Sequence, residues 1–258
     1  MCQLMAMSAN VPTDARFSFS GLVARGGGTD VHRDGWGIAF YRGRGVQEFR
    51  DPQPSVDSRV AALVKSQSIK SELVISHIRQ ANVGAVSLEN THPFVRELWG
   101  RYWVFAHNGQ LRGVRKALPL GRFQPVGGTD SEWAFCWLLA QLEQRFDGWP
   151  RSPKLLGEFI AGCARQLHQL GVANFLLSDG RALYAHCSTR LHWLTRRAPF
   201  GVARLKDIEM EVDFSRETTP NDIVSVLATE PLTVAEPWLQ MAPGSSLMMQ
   251  KGRVKALD

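Results

Sequence analysis

Apolar residues cluster from the first positions of the chain. Cys2-Gln-Leu-Met-Ala-Met-Ser8 alternates imperfectly and predicts a strand, and Phe17 to Val23 predicts a short apolar helix behind it. Gly37-Ile-Ala-Phe-Tyr41, Val46 to Phe49, Leu73-Val-Ile-Ser-His-Ile78 and Tyr102-Trp-Val-Phe-Ala106 read as further strands, each bounded by Gly, Pro, Asp or Asn. Between them Val56 to Ser66 reads as a helix.

Two stronger helical patterns follow. Thr129-Asp-Ser-Glu132 carries the signature of a capping box, with Thr129 as the cap and Glu132 reaching back, and opens a helix to about Arg145. Its Trp133, Phe135, Cys136, Trp137, Leu138, Leu139 and Leu142 are apolar nearly all round, which predicts cover on more than one side. Pro153 to Leu170 is amphipathic, with Leu156, Phe159, Ile160, Cys163, Leu167 and Leu170 recurring at three and four residues before Gly171. Strand patterns then return at Asn174 to Leu177, Ala182 to His186 after the turn Asp179-Gly180, His192 to Thr195, Ile223 to Ala228, and Ser246 to Gln250 before Lys251-Gly252. Strands, then helices, then strands argue for an α+β class with antiparallel sheets. No repeat, low-complexity tract or linker composition marks a boundary, so 1–258 is expected to form one domain.

Composition narrows the function classes. The 258 residues are 44% hydrophobic and 21% charged, as in a globular domain, and no apolar run approaches the roughly 18 residues of a membrane span. The start of the chain has no secretory pattern, and four scattered cysteines make no disulfide framework, so a reducing cytoplasm is the expected setting. The net charge of +6 comes largely from arginines spread from Arg16 to Arg253, without a stripe or tail that would track nucleic acid. The histidines show neither CxxC nor HExxH spacing, and Arg25-Gly-Gly-Gly28 lacks the Lys-Ser/Thr of a phosphate loop, so no metal or cofactor is expected.

The chemistry concentrates at Cys2. Removal of Met1 would leave a thiol and a free α-amine on one residue, and an amine titrating near about 7.7 to 8.0 can take the thiol proton without a histidine. Five further motifs follow in order: His32-Arg-Asp-Gly-Trp-Gly37, Ser76-His-Ile-Arg79, Thr91-His-Pro-Phe94, Ala106-His-Asn-Gly109 and Gly128-Thr-Asp-Ser-Glu132. Asn108 and Gly109 at a strand end would offer a side-chain amide and a backbone N–H to one oxyanion. Arg79, directly after an apolar strand, has its planar fork set at a sheet end where it suits a carboxylate. Asp130 lies in a first helical turn, a position the helix dipole favours in any case.

Together these residues resemble the class II glutamine amidotransferases, N-terminal-nucleophile hydrolases, and most closely the stand-alone bacterial type without a fused synthase. The motifs run from Cys2 to about Glu132, with a weaker echo in Ala228-Thr-Glu-Pro-Leu232 and Ala242-Pro-Gly-Ser245. The resemblance implies a four-layer αββα sandwich of two antiparallel sheets. It also implies hydrolysis of glutamine to glutamate and ammonia through a Cys2 thioester, with Asn108 and Gly109 as the oxyanion hole. Arg79 would then hold the substrate α-carboxylate and Asp130 its α-ammonium. Trp36, flanked by Gly35 and Gly37, is expected as a wall of the site. The sugar-making relatives carry Trp-Ala-Thr-His-Gly after the arginine where this chain has Gln80-Ala-Asn-Val-Gly84; Asn82 can supply a polar contact, but Val83 cannot replace an imidazole. His77 and His92 receive no chemical role. Three readings stay open: a glutaminase feeding a separate ammonia-accepting synthase, an amidase for a small γ-glutamyl conjugate, and a non-catalytic protein that keeps the fold.

Overall fold

The computed structural model describes residues 2–81 and 84–257. Two antiparallel sheets lie face to face. The first has seven strands in the order β14 (Leu239–Gln240), β9 (His192–Arg197), β12 (Ile223–Ala228), β1 (Gln3–Asp14), β4 (Lys70–Ile78), β2 (Trp36–Arg42) and β3 (Gly45–Asp51). The second has six: β16 (Arg253–Leu257), β15 (Ser246–Gln250), β8 (Leu183–His186), β7 (Gly171–Ser178), β6 (Arg101–Leu111) and β5 (Phe94–Leu98). A small third sheet joins β11 (Glu211–Asp213), β10 (Val202–Leu205) and β13 (Thr233–Val234).

Period-two alternation sorts the strand residues into three cores. From β1, Met5, Met7 and Ala9 face outward with Trp36, Ile38 and Phe40 of β2, and are covered by Phe19, Leu22 and Val23 of helix α1 (Arg16–Ala24) and by Ala61 and Val64 of α2 (Arg59–Ser66). The intervening Leu4 and Ala6 face the other sheet, packing in one cluster with Ile75, Val104, Ala106, Leu176 and Met249. On the far side Trp103, Phe105, Phe175 and Leu177 pack under α4 (Asp130–Arg145) and α5 (Pro153–Gln169). Helices, sheet, sheet, helices make the four-layer αββα sandwich. A short α3 (Val114–Ala117) precedes α4.

Local signals act largely as read. Thr129 Oγ1 accepts the Glu132 N–H at 3.2 Å and Ser152 Oγ accepts that of Leu155 at 3.2 Å, starting α4 and α5. Residues 134–140 of α4 are all buried, as an all-round apolar helix requires. Three expectations change. Helix α2 starts at Arg59, not Val56, because Ser58 caps it. Glu132 does not complete the capping box; its buried carboxylate accepts the Val126 and Gly127 N–H groups at 3.1 and 2.7 Å and pairs with Arg96. Asn108 and Gly109 lie within β6, not at its end.

Candidate active site

Five elements converge at one end of the sandwich. Cys2, directly before β1, lays its sulfur on the backbone of Gln80, accepting the Gln80 N–H at 3.3 Å with the Gln80 carbonyl 3.4 Å away. Burial pushes the thiol up from its ordinary value; the Gln80 backbone and the Arg79 charge oppose that shift. Arg79 continues from β4, its N–H donating to Gly35 O at 2.7 Å, while Ala81 N–H donates to Asp34 Oδ2 at 2.7 Å. Its guanidinium is buried and donates to the carbonyls of Ala85 at 3.0 Å and Gly84 at 3.3 Å.

The second sheet supplies the facing wall. Strand β5 pairs with β6 only as far as Phe105, so beyond it one edge of β6 is uncovered while β7 still pairs with the other. Antiparallel strands point the backbone groups of alternate residues to opposite sides. On the uncovered side His107 O accepts His77 Nε2–H at 3.1 Å and Leu111 N–H donates to Asp130 Oδ2 at 2.6 Å. Gly109, midway between them, turns its N–H the same way. The partner strand therefore ends here although β6 itself continues. Glycine is required at this point: a Cβ would lie 1.8 Å from Val172 O.

Asn108 has the opposite parity and is buried on the inter-sheet side, where Nδ2 reaches Thr229 Oγ1 at a long 3.4 Å and Oδ1 has no partner among the described residues. Thr229 also accepts the Leu4 N–H at 2.9 Å, tying the start of β1 to the Asn108 amide.

Cys2, Arg79, Gln80, Gly109 and Asp130 line one cleft of about 30 Å³, together with His92, His107, Thr129 and Ser131. Trp36 does not line it. The even-numbered face of β2 puts Trp36 in the outer core, fully buried, with its ring 5.6 Å from Phe19. Its neighbour Gly37 is the residue that bears on the site, because a Cβ there would lie 2.2 Å from His92 O. Asn82 lies outside the described residues. Among those described, no group of three or more His, Cys, Asp or Glu could hold a metal ion, and no helix is long and apolar enough to cross a membrane.

A histidine layer backs the cleft. His77 stacks on His92 with ring centroids 4.2 Å apart, and His107 is bonded at both ends, to Ser131 Oγ at 2.8 Å and Val172 O at 3.0 Å. Burial holds all three rings neutral, pushing His77 down to about 3, His92 well below its ordinary value, and His107 down against the opposing pull of Asp130. In the unfolded chain each would titrate near 6.5. Unfolding thus takes up protons below that pH, so the stability present above about 6.5 is lost as pH falls toward the folded-state values. The urea midpoint is expected to drop between pH 7 and pH 5; a midpoint that held or rose would show that the rings are not kept neutral. The sequence motifs contain both His107, directly before Asn108, and Ser131, directly after Asp130, but assign a role to neither.

Comparison with known proteins gives concordant results. The family described as glutamine amidotransferases class-II matches residues 1–258. YafJ of Escherichia coli K12 is 61% identical over 244 residues, 95% of each chain. The crystal structure of a predicted glutamine amidotransferase from Pseudomonas aeruginosa PA01 superposes with a TM-score of 0.78 at 51% identity, covering 98% of this chain and 99% of that one. The glutamine phosphoribosylpyrophosphate amidotransferase of Bacillus subtilis shares the fold, with a TM-score of 0.65 at 17% identity over 99% of this chain and 48% of its own.

Proposed function

The chain belongs to the class II glutamine amidotransferases, and we propose that this enzyme hydrolyses the side-chain amide of glutamine to glutamate and ammonia through a thioester on Cys2. The observation that carries the reading is the convergence of Cys2, Arg79, Gly109 and Asp130 on one cleft. With Met1 removed, the Cys2 amine takes the thiol proton and the thiolate attacks the amide carbon. The carbonyl oxygen becomes an oxyanion held by the Gly109 N–H, which β5 leaves unpaired, and by Asn108 Nδ2, whose single long bond to Thr229 leaves it able to donate. Collapse of the intermediate breaks the C–N bond, and ammonia leaves with the proton from the amine. Water then attacks the thioester, the amine now acting as base, and glutamate is released. Burial makes His77 and His92 weak proton acceptors, which leaves the Cys2 amine as the stronger base.

Arg79 and Asp130 suit the α-carboxylate and α-ammonium of a γ-glutamyl group, which would be the same in glutamine and in a conjugate. An enzyme that delivers ammonia encloses a small leaving group, whereas an amidase for conjugates must leave room for a substituted amine. In direct competition, kcat/KM for glutamine is expected to exceed that for bulky γ-glutamyl amides, measured on protein whose intact mass shows Cys2 as first residue. Preference for the bulky amides would instead identify a γ-glutamyl amidase, and full activity with Met1 retained would defeat the amine-base mechanism. Free ammonia as product would in turn call for an acceptor enzyme of its own.

A further inference from the structure

We propose that Asn90 is a positioning residue that sets the spacing between Arg79 and Asp130, and so the fit of the site to the two charged groups of an α-amino acid. The inference rests on the reading of those two residues as the α-carboxylate and α-ammonium contacts. Asn90 ends a short 3₁₀ turn, Leu88–Asn90, and is 4% exposed. Its Nδ2 donates to Ala85 O and to Ser87 Oγ, both at 3.1 Å, and its Oδ1 accepts the Gly128 N–H at 2.8 Å. The carbonyl of Ala85 is the one that also accepts Arg79 Nη1, at 3.0 Å. Gly128 directly precedes Thr129, the cap of α4, and Asp130 follows. One amide group therefore joins the loop against the Arg79 guanidinium to the turn that presents the Asp130 carboxylate.

The packing leaves that amide little freedom. A Cβ on Gly127 would lie 2.3 Å from Asn90 Oδ1, and one on Gly84, whose φ is +79°, would lie 3.3 Å from Nδ2. Both donor hydrogens of the side chain are used, so a shift of either loop costs a buried hydrogen bond. From the opposite side, Glu132 holds the Val126 and Gly127 N–H groups to α4. The turn before Asp130 is thus fixed to its own helix by Glu132 and to the Arg79 loop by Asn90. Binding of an α-amino acid needs both charged groups at a set distance, and a loose brace would relax that requirement before it affected the thiol.

The test compares L-glutamine with glutaramic acid, which lacks the α-amine, and 4-aminobutanamide, which lacks the α-carboxylate, in wild type, Asn90→Ala and Asn90→Asp. The aspartate keeps an acceptor for Gly128 but loses the donors to Ala85 and Ser87. In both variants KM for L-glutamine is expected to rise roughly tenfold with little change in kcat, and the preference for L-glutamine over each truncated amide, as kcat/KM, to fall by a similar factor. Alkylation of Cys2 by iodoacetamide should keep its wild-type rate. If neither Asn90 variant folds, Gly127→Ala displaces the same amide and should show the same loss of preference. An unchanged preference ratio in a folded variant overturns the proposal, because simple destabilisation lowers all three substrates alike. A wild type that does not discriminate against the truncated amides overturns the reading of Arg79 and Asp130 and this inference with it.

Discussion

Cys2→Ala and Cys2→Ser are expected to lower glutamine turnover by roughly 10⁴-fold or more, the scale at which removal of a covalent nucleophile acts in hydrolases of comparable logic. The sulfur lies against the Gln80 backbone, in contact with both its N–H and its carbonyl, and no other cysteine lies in the cleft. Cys136, Cys163 and Cys187 are buried elsewhere, and burial pushes their thiols up as well, so none can substitute. Serine tests the chemistry more sharply than alanine, since it keeps the size and polarity of the side chain while its hydroxyl is a far weaker nucleophile. Folding should be little affected in either case, because the residue precedes β1 and is only half-buried. Release of ammonia measured by a coupled assay, with circular dichroism as the control for folding, decides the matter; residual turnover above a few per cent would point to a different nucleophile.

Asn108→Ala should lower kcat by about 100- to 1,000-fold and leave KM nearly unchanged, the effect of deleting one donor that acts as charge develops. The structural basis is the uncommitted amide: Nδ2 has one long bond to Thr229, and a group tied more firmly would be unable to follow the oxyanion. Arg79→Ala supplies the contrast, because loss of a ground-state ion pair should appear mainly in KM. Steady-state kinetics on the two variants separates the roles. The opposite split would exchange the assignments of binding and oxyanion stabilisation.

Much of this architecture was legible in the sequence, and the failures have a common physical origin. The middle helices could be read because their signals are local: a cap, a period of 3.6 and a closing glycine. The order of the motifs around Cys2 gave most of the candidate site. What a linear pattern does not carry is which strand ends beside which. Asn108-Gly109 reads as a strand end, yet the strand continues and it is the partner β5 that stops, exposing one edge. Trp36 between two glycines reads as a wall of the site, but the parity of β2 turns it to the helix side and leaves Gly37 at the close approach. The short strands β5, β10, β11, β13, β14 and β16 escaped notice because two to five residues give too little alternation to distinguish from loop. Asn90 and Thr229 are single polar residues whose meaning lies in contacts with distant segments, as the Thr229 bond to Leu4 illustrates.

The strand that follows Cys2 occupies an interior position in its sheet, with β4 on one side and β12 on the other. Its pairing with β12 matches Met5 with Ala228 and Ala9 with Val224, partners from opposite parts of the sequence. Contacts this far apart in sequence form slowly, and chains generally fold as their segments become available during synthesis. Thr229, directly after β12, exchanges two hydrogen bonds with Leu4, its N–H donating to Leu4 O at 3.0 Å and its Oγ1 accepting the Leu4 N–H at 2.9 Å. A chain that already contains Cys2, Arg79, Asn108 and Asp130 but not β12 therefore lacks the strand that completes the pairing of β1, directly after Cys2. On the proposed reading, a chain cut before β12 would leave β1 without one of its two neighbours and is expected to release no ammonia from glutamine.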